Sequence, residues 1–148
     1  MNNLALTLQS LGDVAGARAF AEQVLAGFRE VLGERHPETL RSIDTLAETL
    51  RGLGDLAGAC ALHEEALAGR REVLGERHYE TVISAWGLYR VLRDLDPPAA
   101  TAALDHDLRW LLDADPEGFT ADQVRIRDQV TEAVRRSDWG GADDAPAR

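Results

Sequence analysis

The sequence predicts an all-α protein, an α-solenoid of stacked antiparallel helix pairs with about seven helices, the last of them a cap. Three observations predict it. First, the chain repeats itself with a period of 42 residues: Gly12 returns as Gly54 and His36 as His78, and LGERHPET from Leu32 returns as LGERHYET from Leu74. Second, apolar residues within each repeat recur at the spacing of a helix face rather than of a strand. Third, in the first two units a glycine stands where one apolar stripe stops and the next begins, as the end of a helix demands.

Taken in order, the first unit covers about residues 1–36, the second 37–78 and the third 79–119, followed by a capping helix over 120–137 and a flexible tail over 138–148. Residues 1–137 therefore form one repeat domain. In the second unit Ile43, Leu46, Ala47, Leu50 and Leu53 make one helical stripe, and Leu56, Ala59, Leu62, Ala66, Leu67, Val73 and Leu74 make another. Gly54 between them accepts the left-handed backbone of a helix end, and Asp55 caps the helix that follows. Pro37 suits a first helical turn, where its missing N–H is not needed. The third unit is worn. Leu88, Leu92 and Leu95 keep the register, but Asp96-Pro97-Pro98 replaces the Gly-Asp turn, and the helix through Leu104, Leu108, Leu111 and Leu112 ends near Pro116. Thr120 and Gln123 form a capping box ahead of Val124, Ile126, Val130 and Val134. The tail DWGGADDAPAR has no periodicity and is expected to be mobile. Gly27 and Gly69 stand at equivalent helical positions, where a shared close approach between helices is one explanation and a copied, tolerated glycine the other.

Composition removes several function classes. The chain has 148 residues, 45% of them apolar, and a net charge of −10, a field that repels phosphate backbones and anionic membranes. No run reaches the ~20 apolar residues of a membrane helix, and the start MNNLALTLQSLGD lacks the basic region of a signal peptide. A cytoplasmic protein with neither a nucleic-acid nor a membrane partner is expected. Cys60 is the only cysteine, which rules out an internal disulfide, and no basic neighbour that would activate its thiol is evident. There is no lysine, hence no GxxxxGK[ST] phosphate loop, and no GxSxG elbow. His36 and His78 lie in loops a repeat apart, too distant to share a metal, and are expected to bond to helix-end backbone. His63-Glu64 begins like a zinc motif, but Leu67 stands where the second histidine belongs. Asp105, His106 and Asp107 are adjacent on a helix and are expected to fan out over the surface. No catalytic constellation, metal, cofactor or small-molecule substrate is predicted, and the chain reads as a non-enzyme.

The segment NNLALTLQSLGDVAGARAFAEQVL followed by LGERHPET resembles the tetratricopeptide repeat in its long, kinesin-light-chain-like variety. Leu4, Ala5, Leu8, Ala17, Val24 and Leu25 occupy the packing positions of that pattern, as do Leu46, Ala47, Leu50, Ala59, Ala66 and Leu67. Ala21 and His63 depart from it, standing where a tyrosine or phenylalanine is common. The resemblance implies a right-handed superhelix whose first helices line a concave surface that captures peptides, and bacterial signalling ATPases carry arrays of this type. Asn3 matches the asparagine of that groove, while Thr45 and Gly87 replace it in the next two units.

Helical geometry assigns the other face of each first helix to the groove: Asn2, Asn3, Leu6 and Gln9 in unit one, Arg41, Asp44, Thr45, Glu48 and Arg51 in unit two, and Ile83, Trp86, Arg90 and Arg93 in unit three. Four arginines in an acidic protein point to an acidic or carboxylate-bearing peptide, with Trp86 as an apolar anchor. The competing reading of the arginines is a solvated face paired with Glu48 and Asp94. The competing function is self-association, or docking within a larger bacterial signalling ATPase, through an uncapped N-terminal edge at Leu4, Leu8 and Leu11, which gives a homodimer in place of a peptide complex.

Overall fold

The computed structural model describes the backbone of residues 14–143 and the side chains of 15–136. The expected first helix, with Leu4, Leu8 and Leu11, lies outside these residues. Regular structure among the described residues is helical throughout: α1 Val14–Leu32, α2 Pro37–Gly52, α3 Leu56–Leu74, α4 Tyr79–Leu95, α5 Pro97–Ala103, a π-helical turn Leu104–Leu108, α6 Trp110–Asp113, a 3₁₀ turn Pro116–Gly118, and α7 Ala121–Asp143. Counting Pro97–Asp113 as one irregular rod leaves six helices, in keeping with the seven expected when the first lies outside.

The boundaries follow from local chemistry. Gly33, Gly54 and Gly75 end their helices with φ of +88°, +85° and +88°, a backbone that any Cβ would strain. His36 and His78 are the N-caps of α2 and α4, each accepting through Nδ1 the backbone N–H two residues on, at 3.2 and 3.1 Å. The loop histidines thus satisfy helix-end donors, as expected. Asp55 accepts from Gly58 N at 2.9 Å and opens α3. At the start of α7, Thr120 N donates to Gln123 Oε1 at 2.9 Å and Gln123 N to Thr120 Oγ1 at 3.3 Å, the reciprocal pair of a capping box. The helix then carries on past position 137, through Asp143.

Consecutive helices pack against one another along the chain, α1 on α2, α2 on α3 and α3 on α4. Leu40, Ile43, Ala47 and Ala59 lie at the centre of one apolar cluster. Val82, Leu104, Leu108, Leu111 and Val130 lie at the centre of a second, which α7 closes with Ile126 and Ala133. Emptying a position such as Leu108, fully buried, costs about 2–5 kcal/mol for a leucine-to-alanine change. Leu53, Val73, Leu74, Leu95 and Val124, assigned above to core stripes, are each more than a third exposed. All five sit in a terminal turn or at a cap. Helical periodicity continues to the end of a helix, but burial stops where the neighbouring helix does.

A charged ladder ties successive units together. Arg29 Nη2 donates to Glu65 Oε1 at 2.5 Å, and 42 residues on, Arg71 Nη2 donates to Asp107 Oδ1. The second rung corrects the expectation that Asp107 lies on the surface, for its side chain is 9% exposed. The physical reason is the π turn: Arg109 N donates to Leu104 O, five residues back, and the wider turn rotates Asp107 toward Arg71. His106 stays exposed, with Nδ1 2.6 Å from Asp107 Oδ1, and Asp105 pairs outside with Arg109 at 2.9 Å. The two equivalent glycines also part company. A Cβ on Gly69 would lie 2.6 Å from Leu40 Cδ2, whereas one on Gly27 would meet nothing within 4 Å, so close approach explains only the former.

Candidate functional site: a polar groove over α2 and α4

A polar network joins α2, α3 and α4. Asp44 of α2 is its centre: Oδ1 lies 3.0 Å from His63 Nδ1, and Oδ2 accepts from Ser84 Oγ at 3.0 Å and from Arg70 Nη1. Arg70 is buried, its side chain 4% exposed. Nη1 also donates to Ser84 Oγ at 2.7 Å and to Glu80 O at 3.0 Å, and Nη2 lies 3.2 Å from Glu80 Oε2. A guanidinium removed from water needs this many acceptors, because an unpaired buried charge is costly.

His63 is buried with it, and its Nε2 lies 3.4 Å from Glu48 Oε1. Nε2 makes no hydrogen bond at that separation, so charge holds the pair. The ring has room only because α4 carries Gly87: a Cβ there would sit 2.6 Å from His63 Cε1. Glu48 also accepts from Arg51 Nε and Nη2 at 3.2 and 3.1 Å, and Arg90 Nη1 stands 3.9 Å away.

Asp44, Glu48, His63, Ile83, Trp86, Gly87 and Arg90 line a groove of about 330 Å³. Trp86 stacks on Tyr89, with centroids 5.2 Å apart and rings inclined by 28°. It also lines a larger cleft of about 790 Å³ that Arg93, Ala100 and Arg125 border. Of the residues expected in the groove, Asp44, Glu48, Ile83, Trp86 and Arg90 therefore come together, with Arg51 joined through Glu48. Arg93 belongs to the cleft beyond Trp86, and lies 4.0 Å from Asp94. Arg41 pairs with Glu38 at 3.1 Å and borders a separate hollow with Leu74. Thr45 Oγ1 donates to Arg41 O at 3.1 Å. Asn2, Asn3, Leu6 and Gln9 lie outside the described residues.

Burial pushes the His63 pKa down, but the contacts with Asp44 and Glu48 outweigh it, and the value rises above 6.5. The stability this adds is complete below pH 6.5 and is lost as pH rises through the folded value. Glu48 moves the other way. His63 first, then Arg51 and Arg90, overcome the opposing effect of burial and hold it at about 2, against an ordinary 4.5. Its contribution is complete above pH 4.5 and is lost as pH falls toward 2. Urea unfolding across pH should show both losses, and in His63→Gln the one on the alkaline side should disappear. An alkaline decline unchanged in that variant would assign the loss to other groups.

Ser84, Asp44 and His63 are not a nucleophile set. Asp44 stands between the other two, no ring nitrogen contacts Ser84 Oγ, and Ser84 is fully buried. Cys60 packs against both apolar clusters, and burial, then Glu64, raises its pKa, as befits an unreactive thiol. Among the described residues no group of three or more His, Cys, Asp or Glu side chains could hold a metal.

Helix pairs capped alike every 42 residues, with a polar face over the first helices, set the frame for comparison. The tetratricopeptide repeat profile matches residues 1–38 and again 39–80, more than half the chain. The chain belongs to the tetratricopeptide repeat family. Among solved structures, a kinesin-light-chain protein of Podosopora anserina with nearly identical TPR-like repeats is similar at a TM-score of 0.72 and 22% identity, over 92% of this chain and 67% of that one. BtubC (BKLC) of P. vanneervenii is similar at 0.71 and 15%, over 98% and 64%. At these identities the likeness is one of fold. No curated protein matches the chain. Tetratricopeptide repeats are non-catalytic scaffolds that mediate protein–protein interaction, and among the described residues no helix is long and apolar enough to cross a membrane.

The polar network is what sequence reasoning missed, although a signal for it exists. Aligned by the 42-residue period, the first two units differ at 16 of 42 positions, among them Asn2 and Asp44, Leu6 and Glu48, Gln9 and Arg51, Ala21 and His63, and Phe28 and Arg70. Those five exchanges supply the network's titratable and charged members on α2 and α3.

Proposed function

We propose that this tetratricopeptide repeat protein is a non-catalytic interaction module whose groove takes a carboxylate of a partner peptide, from an acidic side chain or a free C-terminus. The observation that supports it most is Arg90. Among the described residues its guanidinium makes one long ion pair, 3.9 Å from Glu48, and it lines the groove beside Trp86. A planar fork with donors to spare, next to an aromatic face, suits a carboxylate flanked by an apolar residue. Arg51 stands on the other side of Glu48, and stacked helices hold both arginines in place before binding, which lowers the ordering cost.

The test is binding of glutamate-rich peptides, with free and amidated C-termini, to the wild type and to Arg51→Glu/Arg90→Glu. Each charge-assisted hydrogen bond lost costs about 1.5–3 kcal/mol, so the double variant should bind at least about tenfold more weakly at unchanged helicity. Equal binding by both would mean that these arginines are a solvated, internally paired face. The N-terminal edge at Leu4, Leu8 and Leu11 would then be the place to test next, by light scattering of Leu8→Glu.

A further inference from the structure

His63 has a carboxylate at each ring nitrogen, Asp44 Oδ1 3.0 Å from Nδ1 and Glu48 Oε1 3.4 Å from Nε2. A neutral imidazole carries one N–H and one lone pair, so it can serve only one of the two and turns a lone pair on the other. An imidazolium serves both. The ring has no room to turn away, since its side chain is 3% exposed and Gly87 closes against it.

The charged groups around it fix what gives way when the proton leaves. On α2 these are Asp44, Glu48 and Arg51. On α3 Arg70 holds Asp44, and on α4 Glu80 holds Arg70 while Arg90 faces Glu48. Asp44 is anchored through Oδ2 by Arg70 and Ser84. Glu48 is not anchored in this way: its side chain is 32% exposed, and its other partners are the arginines on the groove wall.

We propose that His63 is a protonation switch for the groove: the imidazolium draws Glu48 inward, and loss of its proton releases Glu48 onto Arg51 and Arg90, filling the place of a ligand carboxylate. The movement itself belongs to the free protein, while its effect on ligands rests on the carboxylate-binding reading above. Asp44 keeps the Nδ1 proton of the neutral ring, because the 3.0 Å contact is the better aligned. The groove thus loses one positive charge at His63 and has its arginines occupied from within, so it takes anions in the protonated state and refuses them in the neutral one.

Isotope-edited NMR of the wild-type chain tests both halves, from about pH 5 to about pH 9, a window that brackets histidine titration. The probes are the His63 ring nitrogens, the Glu48 carboxyl carbon and the Nε of Arg51 and Arg90, with and without hexaglutamate. The expected result is a doubly protonated His63 at the acid end. Glu48 and Arg90 signals should move with the same midpoint as the ring. Hexaglutamate should bind on the order of tenfold more weakly above that midpoint, about the effect of one charge-assisted hydrogen bond lost. In Glu48→Gln the ring should still titrate while the pH dependence of binding shrinks to the smaller part that the His63 charge alone supplies. A His63 that carries a single ring proton at the acid end, or one that titrates while Glu48 and Arg90 stay still, overturns the switch. If the coupled titration occurs but hexaglutamate shifts no groove signal at either end, the switch stands and the carboxylate-binding reading falls.

Discussion

Asp44→Ala should cost about 3–5 kcal/mol of folding stability, the effect of removing one partner from a buried ion pair. The loss is large because three groups depend on that carboxylate at once: the buried Arg70 guanidinium, the His63 ring and the Ser84 hydroxyl. The Glu80 carboxylate alone remains to neutralise Arg70, and it reaches only Nη2. Urea unfolding at neutral pH measures the difference, with circular dichroism confirming the helices. The triple variant Asp44→Asn, His63→Ala and Arg70→Phe installs the residues at the equivalent positions of the first unit, and it should recover much of the loss. A buried ion pair exchanged whole for neutral side chains is often close to neutral in stability, whereas one left half broken is not. If Asp44→Ala costs less than about 1 kcal/mol, the network is solvated in solution and the groove floor is not built as described.

Gly87→Ala should destabilise by about 1–3 kcal/mol, the usual cost of overfilling a packed interior. On helix propensity alone the change would stabilise by about 1 kcal/mol, so the sign of the measurement decides which effect governs. The new methyl would fall 2.6 Å from Cε1 and 2.8 Å from Nδ1 of a ring held at both nitrogens, and the ring can yield only by giving up Asp44 or Glu48. Gly27→Ala is the matched control. Open space surrounds that position, so the same exchange in α1 should raise stability by about 0.5–1 kcal/mol. Thermal or urea unfolding of the two single variants gives the comparison directly. A stabilised Gly87→Ala would mean that the imidazole does not occupy the seat opposite α4.

The fold was legible because every determinant of it is local or repeated. Gly54, Asp55, Pro37, Thr120 and Gln123 each act within a few residues of themselves, and each ends or opens a helix where its chemistry requires. Helical spacing likewise placed Glu48, Trp86 and Arg90 on one face, and they meet in one groove. Periodicity sorts residues around a helix but not along the stack, which is why Arg41 and Arg93 share that face and yet border other hollows. Burial of charge was illegible for a related reason. Arg70 and Asp107 look like surface residues by type, and only the distance between helices, together with one widened turn, brings each to its partner. His63 read as a missing aromatic. It occupies the interior as a phenylalanine would, but turns two ring nitrogens toward the carboxylates of Asp44 and Glu48.

The ladder from Arg29 to Glu65 and from Arg71 to Asp107 gives the array a direction of growth. Each internal unit presents an acid to the unit before it and an arginine to the unit after it, like a plug and a socket. A duplicate of residues 43–84 spliced in after Ser84 would meet Arg71 with its own glutamate and Asp107 with its own arginine. At the far end the next position in the series is Asp113, which offers an acid where a further unit would need an arginine. The ladder therefore tolerates lengthening by whole 42-residue units inserted in phase between its rungs, and Asp113 offers no arginine to carry it further.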